Sequence, residues 1–311
     1  MILLCGIPSE APLAMVRAQL EDLNTPCVTF NQRRVSRVGM EFLIEAGRVT
    51  GSLELEGRSY RLEHFDGIYT RLMDDRFLPE LRNEEPQSPA QLHSRRIHDV
   101  LFRWCEVAPA RVVNRAGPMG SNCSKPYQAQ LIAAEGFFVP ETLITNDPEL
   151  VIEFLKGHKA VVYKSMSGVR SIVQKLESKD LEHLDRIRWC PVQFQEFVEG
   201  TDVRVHTVGG EVFATAIQSS AADYRYASQH GGTAARLRPF DISDDLADRC
   251  LALSRSLGLA FAGIDLKLTP DDRAFCFEVN PSPGFSYYEA NTGQPIAAAV
   301  ARYITGRSNS T

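Results

Sequence analysis

Two apolar stretches near the C-terminus, AGIDLKL and AFCFEVNPSPG, each carry a carboxylate inside a hydrophobic run, and a short polar segment joins them. A lone carboxylate in a buried strand is costly without a partner. Asp265 and Glu278 therefore require a fold that brings them to something that stabilises charge. The intervening residues 269–273 suit an antiparallel hairpin, which predicts strands over 261–268 and 274–279 with the two carboxylates together. Asn280 lies two positions past Glu278 and so on the same side of an extended chain. Two anionic oxygens and one neutral oxygen form a hard donor set that suits a magnesium ion bridging nucleotide phosphates. A plainer alternative stays open, with Asp265 as a turn partner and Asn280 as a loop residue before Pro281.

The chain has 311 residues, 44% hydrophobic and 23% charged. At ~150 residues per unit this suggests two or three packed units, and it excludes a disordered tail, a collagen-like fibre or a coiled coil. Lys and Arg total 34 against 39 Asp and Glu, a net charge of −5. That balance gives no nonspecific pull toward nucleic acid or anionic lipid, so neither is expected as a partner. The longest apolar runs, such as 160–163 and 296–301, fall far short of the ~20 residues of a membrane helix. MILLCGIPSE has no basic region before its apolar run and reads as a first strand rather than a signal peptide. Seven cysteines are scattered without a CxxC pair, which argues against a zinc site or a disulfide framework. The expected location is the cytoplasm.

Periodicity divides the chain into units 1–116, 117–190 and 191–311, an α+β / α/β organisation. The first reads as a strand over 1–7, a helix carrying Leu13, Val16 and Leu20, and a strand over 27–30. An antiparallel meander follows over 40–62, punctuated by Gly47, Gly51 and Gly57. A strand over 67–73 then leads to a helix from the Ser88 cap to about 107, with Leu92, Ile97, Leu101 and Trp104 as its buried stripe. The second unit opens with Ser124-Lys125-Pro126, a helix start. Its helix stops at Gly136, a strand spans 141–145, and Asp147-Pro148 starts another helix. A strand over 160–165, the SMSG turn and a return strand over 171–176 complete it. The third is strand-rich, with strands over 193–198, 203–208 and 211–217, a Gly209-Gly210 turn, a helix over 244–257, the acidic hairpin and a closing helix over 294–304.

Cations complement the acidic hairpin. Lys125 starts a helix, where the macrodipole favours an anion. Lys164 directly precedes SMSG, whose backbone amides, at Ser167 and Gly168 among others, can cradle phosphates. Arg204 and Arg225 add positive charge in the strand-rich unit. Taken singly, each reads as well as a solvated surface cation; their joint spacing is what selects them.

From VVNRAGPMGSNCSKPYQAQLIAAEGFFVPET through VVYKSMSG, VQFQEFVEGTDVRV and DYRYASQHGG to GIDLKL and FEVNPSPGFSYYEANTGQPI, roughly residues 112–296, the chain resembles the ATP-grasp ligases of the RimK type. The resemblance implies an ATP-grasp fold behind a small N-terminal α/β domain. It implies that Lys125 and Lys164 touch the ATP phosphates. Gln195, Glu196, Phe197 and Val198 would form the hinge that reads adenine, with Asp202 near the ribose. Arg204 and Arg225 would neutralise the γ-phosphate and an acyl-phosphate, and Asp265, Glu278 and Asn280 would hold two magnesium ions, or manganese. SMSGVRS is shorter and less glycine-rich than many family phosphate loops, which puts Arg170 in reach of the role of a backbone contact.

The implied activity is an ATP-dependent ligation, ADP-forming, in which a carboxylate is activated as an acyl-phosphate and attacked by an amine. Such chemistry depends on positioning and charge neutralisation rather than a protein nucleophile. The substrate is an amino acid or small molecule, or a peptide, since the C-terminal motif also resembles ligases that cyclise ribosomal peptides. Arg71 is placed toward a carboxylate substrate, and Tyr287, Tyr288 and Glu289 toward the acceptor. His206 and His230 are weighed as proton acceptors against satisfied structural histidines, and no catalytic base is assigned. A small-molecule kinase and an ATP-binding regulatory protein without turnover remain as rivals, and a homo-oligomer is compatible with all of these.

Overall fold

The computed structural model describes residues 1–165, 173–218 and 235–307. Strand β1 (Ile2–Gly6) is buried along its whole length because both faces are covered. Ile2 and Leu4 enter one core cluster, and Leu3 and Cys5 enter another. That is the alternation of an extended chain in a sheet packed on both sides. Helix α1 (Ala11–Asp22) buries Leu13, Val16 and Leu20 and returns the chain to β2 (Cys27–Asn31), parallel to β1.

Strands β3 (Val38–Glu45), β4 (Arg48–Leu55) and β5 (Arg58–Arg61) form the expected antiparallel meander. Gly51 is not one of its turns. It lies within β4 opposite Phe42, where an added Cβ would overlap the Glu41 carbonyl and the Phe42 backbone. Strand β6 (Gly67–Arg71) then pairs with the other edge of β1. Helix α2 (Pro89–Val107) follows, its Ser88 cap accepting from the Gln91 amide. It buries Ser94, Ile97, Leu101, Trp104 and Cys105. Leu92 is exposed, against expectation. At ~100° per residue it sits about 140° around the helix from Ile97 and so off the stripe. Strand β7 (Arg111–Val113) completes a parallel sheet of order β2-β1-β6-β7.

A short helix α3 (Ala116–Met119) leads into α4 (Lys125–Ala134), capped by Ser124, whose hydroxyl accepts from the Tyr127 amide. Strand β8 (Thr142–Thr145), helix α5 (Pro148–Gly157), strands β9 (Val161–Ser165) and β10 (Gln174–Lys175), helix α6 (Ser178–Leu181) and strand β11 (Val192–Glu196) follow. The strands make an antiparallel sheet of order β10-β9-β11-β8. The return strand expected over 171–176 is β10, with 171 and 172 outside the described residues.

The third part holds β12 (Thr201–Val208), β13 (Glu211–Gln218), β14 (Arg236–Pro239), helix α7 (Asp244–Ser256), β15 (Phe261–Leu268) and β16 (Ala274–Asn280). They form an antiparallel sheet of order β14-β13-β12-β15-β16. Helices α8 (Ser286–Thr292) and α9 (Ile296–Thr305) close the chain; α8 and β14 were not anticipated. One core cluster joins Ile2, Leu13 and Val16 to Phe261, Ile296 and Val300, so the first and last parts of the chain share a hydrophobic interior. Buried Asn114 ties them further. Its amide nitrogen donates to the carbonyls of Phe261 and Pro281, both at 2.6 Å, and its oxygen accepts from the amides of Ala260 and Phe261.

No helix among the described residues is long and apolar enough to cross a membrane.

Candidate active site

A cleft opens between the β9–β11 face of the small sheet and the β12–β15–β16 face of the large one. Lys164, Gln195, Glu196, Phe197 and Val198 line one side, and Asp202, Asp265, Lys267, Phe277 and Glu278 the other. The expected hairpin forms, with Asp265 opposite Glu278 and Gly263 opposite Asn280. A register shift beside this pair leaves Phe277 without a partner in β15, and Phe277 and Glu278 both reach the cleft.

Each carboxylate meets a cation. Lys125 Nζ lies 2.6 Å from Glu278 Oε1 and also donates to Asn122 Oδ1 at 2.7 Å. Arg204, on the strand beside Asp265, is itself buried and donates from Nη1 to Asp265 Oδ1 at 2.6 Å. Burial raises the Glu278 carboxyl, but Lys125, and then Lys164 and Arg204, outweigh it and hold the group below its ordinary value. Lys125, Lys164 and Arg204 therefore act on one carboxylate from three separate elements.

The donor set suits a hard cation shared with phosphates. Among the described residues no three His, Cys, Asp or Glu side chains gather into a metal cluster. A magnesium ion held by the two carboxylates and the Asn280 amide would keep the rest of its coordination positions for phosphate oxygens and water, as that ion prefers. Asn280 Oδ1 accepts from the Ser282 amide at 2.9 Å, which fixes its side chain and leaves its second lone pair.

At the end of β11, the amides of Glu196 and Phe197 donate to the carbonyls of Glu141 and Ala160. The Gln195 side chain donates to Thr142 Oγ1, and Glu196 Oε1 accepts from the Glu141 amide. Phe197 carries two ammonium groups near its ring, Lys175 at 5.3 Å and Lys267 at 5.6 Å from the centroid. Asp202 pairs with Lys267 at 3.2 Å.

Arg71, expected to face a carboxylate substrate, meets the chain's own Glu10 in a close ion pair, and its Nη1 donates to the Pro283 carbonyl at 3.1 Å. Of the three residues read as acceptor contacts, Tyr287 is exposed and Tyr288 is buried, its ring edge-on to His206 and 5.7 Å from Arg204 Cζ. Glu289 Oε2 accepts from the Ala297 amide at 2.7 Å and so caps α9. Ser167, Gly168, Arg170, Arg225 and His230 lie outside the described residues.

Lys267 and Gln128 were missed in the sequence, although each carried a signal. Lys267 follows Asp265 by two in a strand and Gln128 follows Lys125 by three in a helix, so each shares a face with a selected residue.

A RimK-like ATP-grasp domain matches residues 123–304. The probable alpha-L-glutamate ligase of Photobacterium profundum is 27% identical over 225 residues, covering 66% of this chain and 73% of that protein. The macrocyclase MdnC from Microcystis aeruginosa MRC, solved with precursor peptide MdnA, shares the fold at a TM-score of 0.80 and 21% identity, over 98% of this chain and 100% of that one. The ATP-grasp ligase PsnB, solved with a minimal precursor, Mg and ADP, superposes at a TM-score of 0.79 and 26% identity, over 98% of this chain and 96% of its own. The family match takes in residues 123–304, more than half of the chain and including Lys125, Lys164, Asp265, Glu278 and Asn280, so the chain belongs to the RimK-like ATP-grasp family of ATP-dependent carboxylate–amine ligases.

Proposed function

We propose that the protein joins a carboxylate to an amine within a peptide substrate, through an acyl-phosphate, releasing ADP and phosphate. The observation that carries this reading is the likeness to PsnB over 98% of this chain, because that ligase was solved on a minimal precursor. The likeness to the glutamate ligase of Photobacterium profundum spans 66% of the chain.

In this reading residues 1–116 form an N-terminal domain, 117–190 a small lobe over the nucleotide, and 191–311 the lobe with the metal ligands. Gln195 to Val198 border the adenine and Asp202 the ribose. Lys125 and Lys164 hold the phosphates, and Lys125 exchanges its bond to Glu278 for one to a phosphate oxygen. Magnesium, held by Asp265, Glu278 and Asn280, would neutralise phosphate charge and polarise the transferring group; two ions, or manganese in their place, are compatible with that donor set. Arg204, fixed by Asp265, faces the charge that develops during transfer. The substrate carboxylate attacks the γ-phosphate, and an amine then displaces phosphate from the acyl-phosphate.

The test is incubation with Mg-ATP, free glutamate and synthetic peptides that present Glu or Asp together with Lys, read by mass spectrometry and nucleotide analysis. Loss of one water from the peptide with matching ADP release is the expected result. A gain of one glutamate residue would assign a free amino acid as substrate. ADP release without any amine would indicate a kinase, and AMP release would overturn the acyl-phosphate route.

A further inference from the structure

We infer that Gln128 is a positioning residue that sets the register of the metal-binding edge of the site; this rests on the reading of Glu278 and Asn280 as magnesium ligands. Strand β16 is the outermost strand of its sheet, so its outward peptide groups have no neighbouring strand to pair with. The chain satisfies them in two ways. Near the start of β16, the Phe138 amide donates to the Ala274 carbonyl at 3.0 Å, and the Phe138 carbonyl accepts from the Cys276 amide at 2.9 Å. At Val279 a side chain takes over. Gln128 Nε2 donates to the Val279 carbonyl at 2.9 Å, and Gln128 Oε1 accepts from the Val279 amide at 3.0 Å. A carboxamide presents the same donor and acceptor as a peptide unit, so Gln128 stands in for one residue of a missing strand.

The place of this contact makes it more than a fastening. Val279 separates Glu278 from Asn280, and Gln128 is 1% exposed, so water does not compete for either bond. Gln128 also lies one helical turn from Lys125, which grips Glu278 itself. Helix α4 thus holds two successive residues of β16, one through its charge and the other through its backbone. The Lys125 grip is exchanged when phosphate arrives, whereas the Gln128 grip involves no group that nucleotide displaces. It is the contact that keeps Glu278 and Asn280 at a fixed spacing while the ion pair rearranges. Partners that orient ligands in this way typically change metal affinity by 10–100-fold.

The experiment compares Gln128→Ala, Gln128→Glu and Glu278→Gln with wild type. It measures AMPPNP binding by calorimetry without metal, its dependence on added Mg2+, and the melting temperature. Gln128→Ala is expected to raise the Mg2+ concentration for half-maximal effect about tenfold and to leave metal-free AMPPNP affinity unchanged. Gln128→Glu keeps the bond to the Val279 amide and sets a carboxylate against its carbonyl, so a shift in the same direction is expected; it also decides the question if the alanine variant does not fold. A folded Gln128 variant with a lower melting temperature and an unchanged Mg2+ dependence would overturn the inference, leaving Gln128 purely structural. If Glu278→Gln also leaves the Mg2+ dependence unchanged, the metal-ligand reading fails, and the inference falls with it.

Discussion

The guanidinium of Arg204 lies against the α-carbon of Gly263, so closely that an added Cβ would overlap Nη2 and Cζ and stand 2.8 Å from Nε. Gly263 lies two residues before Asp265 and therefore on the same face of β15, where Arg204 reaches across from β12 to bond Asp265. The glycine is thus the floor under a cation with almost no exposure to water. Gly263→Ala is expected to push the guanidinium off Asp265 and lower kcat about 10²-fold, the scale of losing one preorganised charge contact. Nucleotide affinity should change little. A variant with wild-type kcat would show that Arg204 takes no part in the chemistry.

Glu278→Gln keeps the volume of the side chain and removes its charge. Turnover should fall by about 10²-fold or more while the far-ultraviolet circular dichroism is preserved. Wild-type ADP release by the folded variant would argue against the metal assignment.

Lys164 sits across the cleft from Glu278 and helps hold that carboxyl below its ordinary value. Lys164→Ala is expected to weaken AMPPNP binding about tenfold, a change of ~1.4 kcal/mol, by calorimetry. Equal affinity in the two proteins would remove Lys164 from the phosphate site.

His206 is fully buried on β12, with neither ring nitrogen hydrogen-bonded among the described residues. Burial, and then the charge of Arg204, push its pKa well below the ordinary 6.5. The unfolded chain therefore binds a proton that the folded chain excludes as pH falls below 6.5. Stability is fully present above that value and declines as pH drops toward the folded pKa. His206→Leu should flatten this acid limb, seen as urea midpoints at pH values on either side of the histidine range. An equal loss in wild type and variant would place the acid sensitivity elsewhere.

Asn114 closes four hydrogen bonds between the end of β7 and the lobe that carries the site. Asn114→Ala leaves buried peptide groups without partners, at ~1–3 kcal/mol each. A loss of about 3 kcal/mol or more in urea unfolding is expected. A change within ~0.5 kcal/mol would show that water reaches those groups.

The acidic hairpin was readable because carboxylates in apolar strands and a short polar turn admit few arrangements, but the pairing of Asp265 with Glu278 was not: continued from Leu268 opposite Ala274, plain alternation would set Asp265 opposite Phe277, and only the extra residue in β16 brings Glu278 there. The helix starts at Ser88, Ser124 and Asp147 were readable for a similar reason, since each cap bonds an amide two or three residues on. Gly51 misled because a glycine that permits close strand approach looks, in a linear chain, like one that permits a turn. Arg71 showed a cation near a strand end, and nothing local to it indicated Glu10 or the Pro283 carbonyl as its partners.

Patterns that act over three or four residues, or across one short turn, were thus enough to find most of the strands, the helix starts at Ser88, Ser124 and Asp147, and the acidic hairpin. The grip of Gln128 on Val279, the floor that Gly263 makes for Arg204, and the span of Asn114 to Phe261 came from packing between segments far apart in the chain. Burial of apolar faces chooses which segments meet. A buried amide or guanidinium then takes whatever partner that meeting leaves within hydrogen-bond reach.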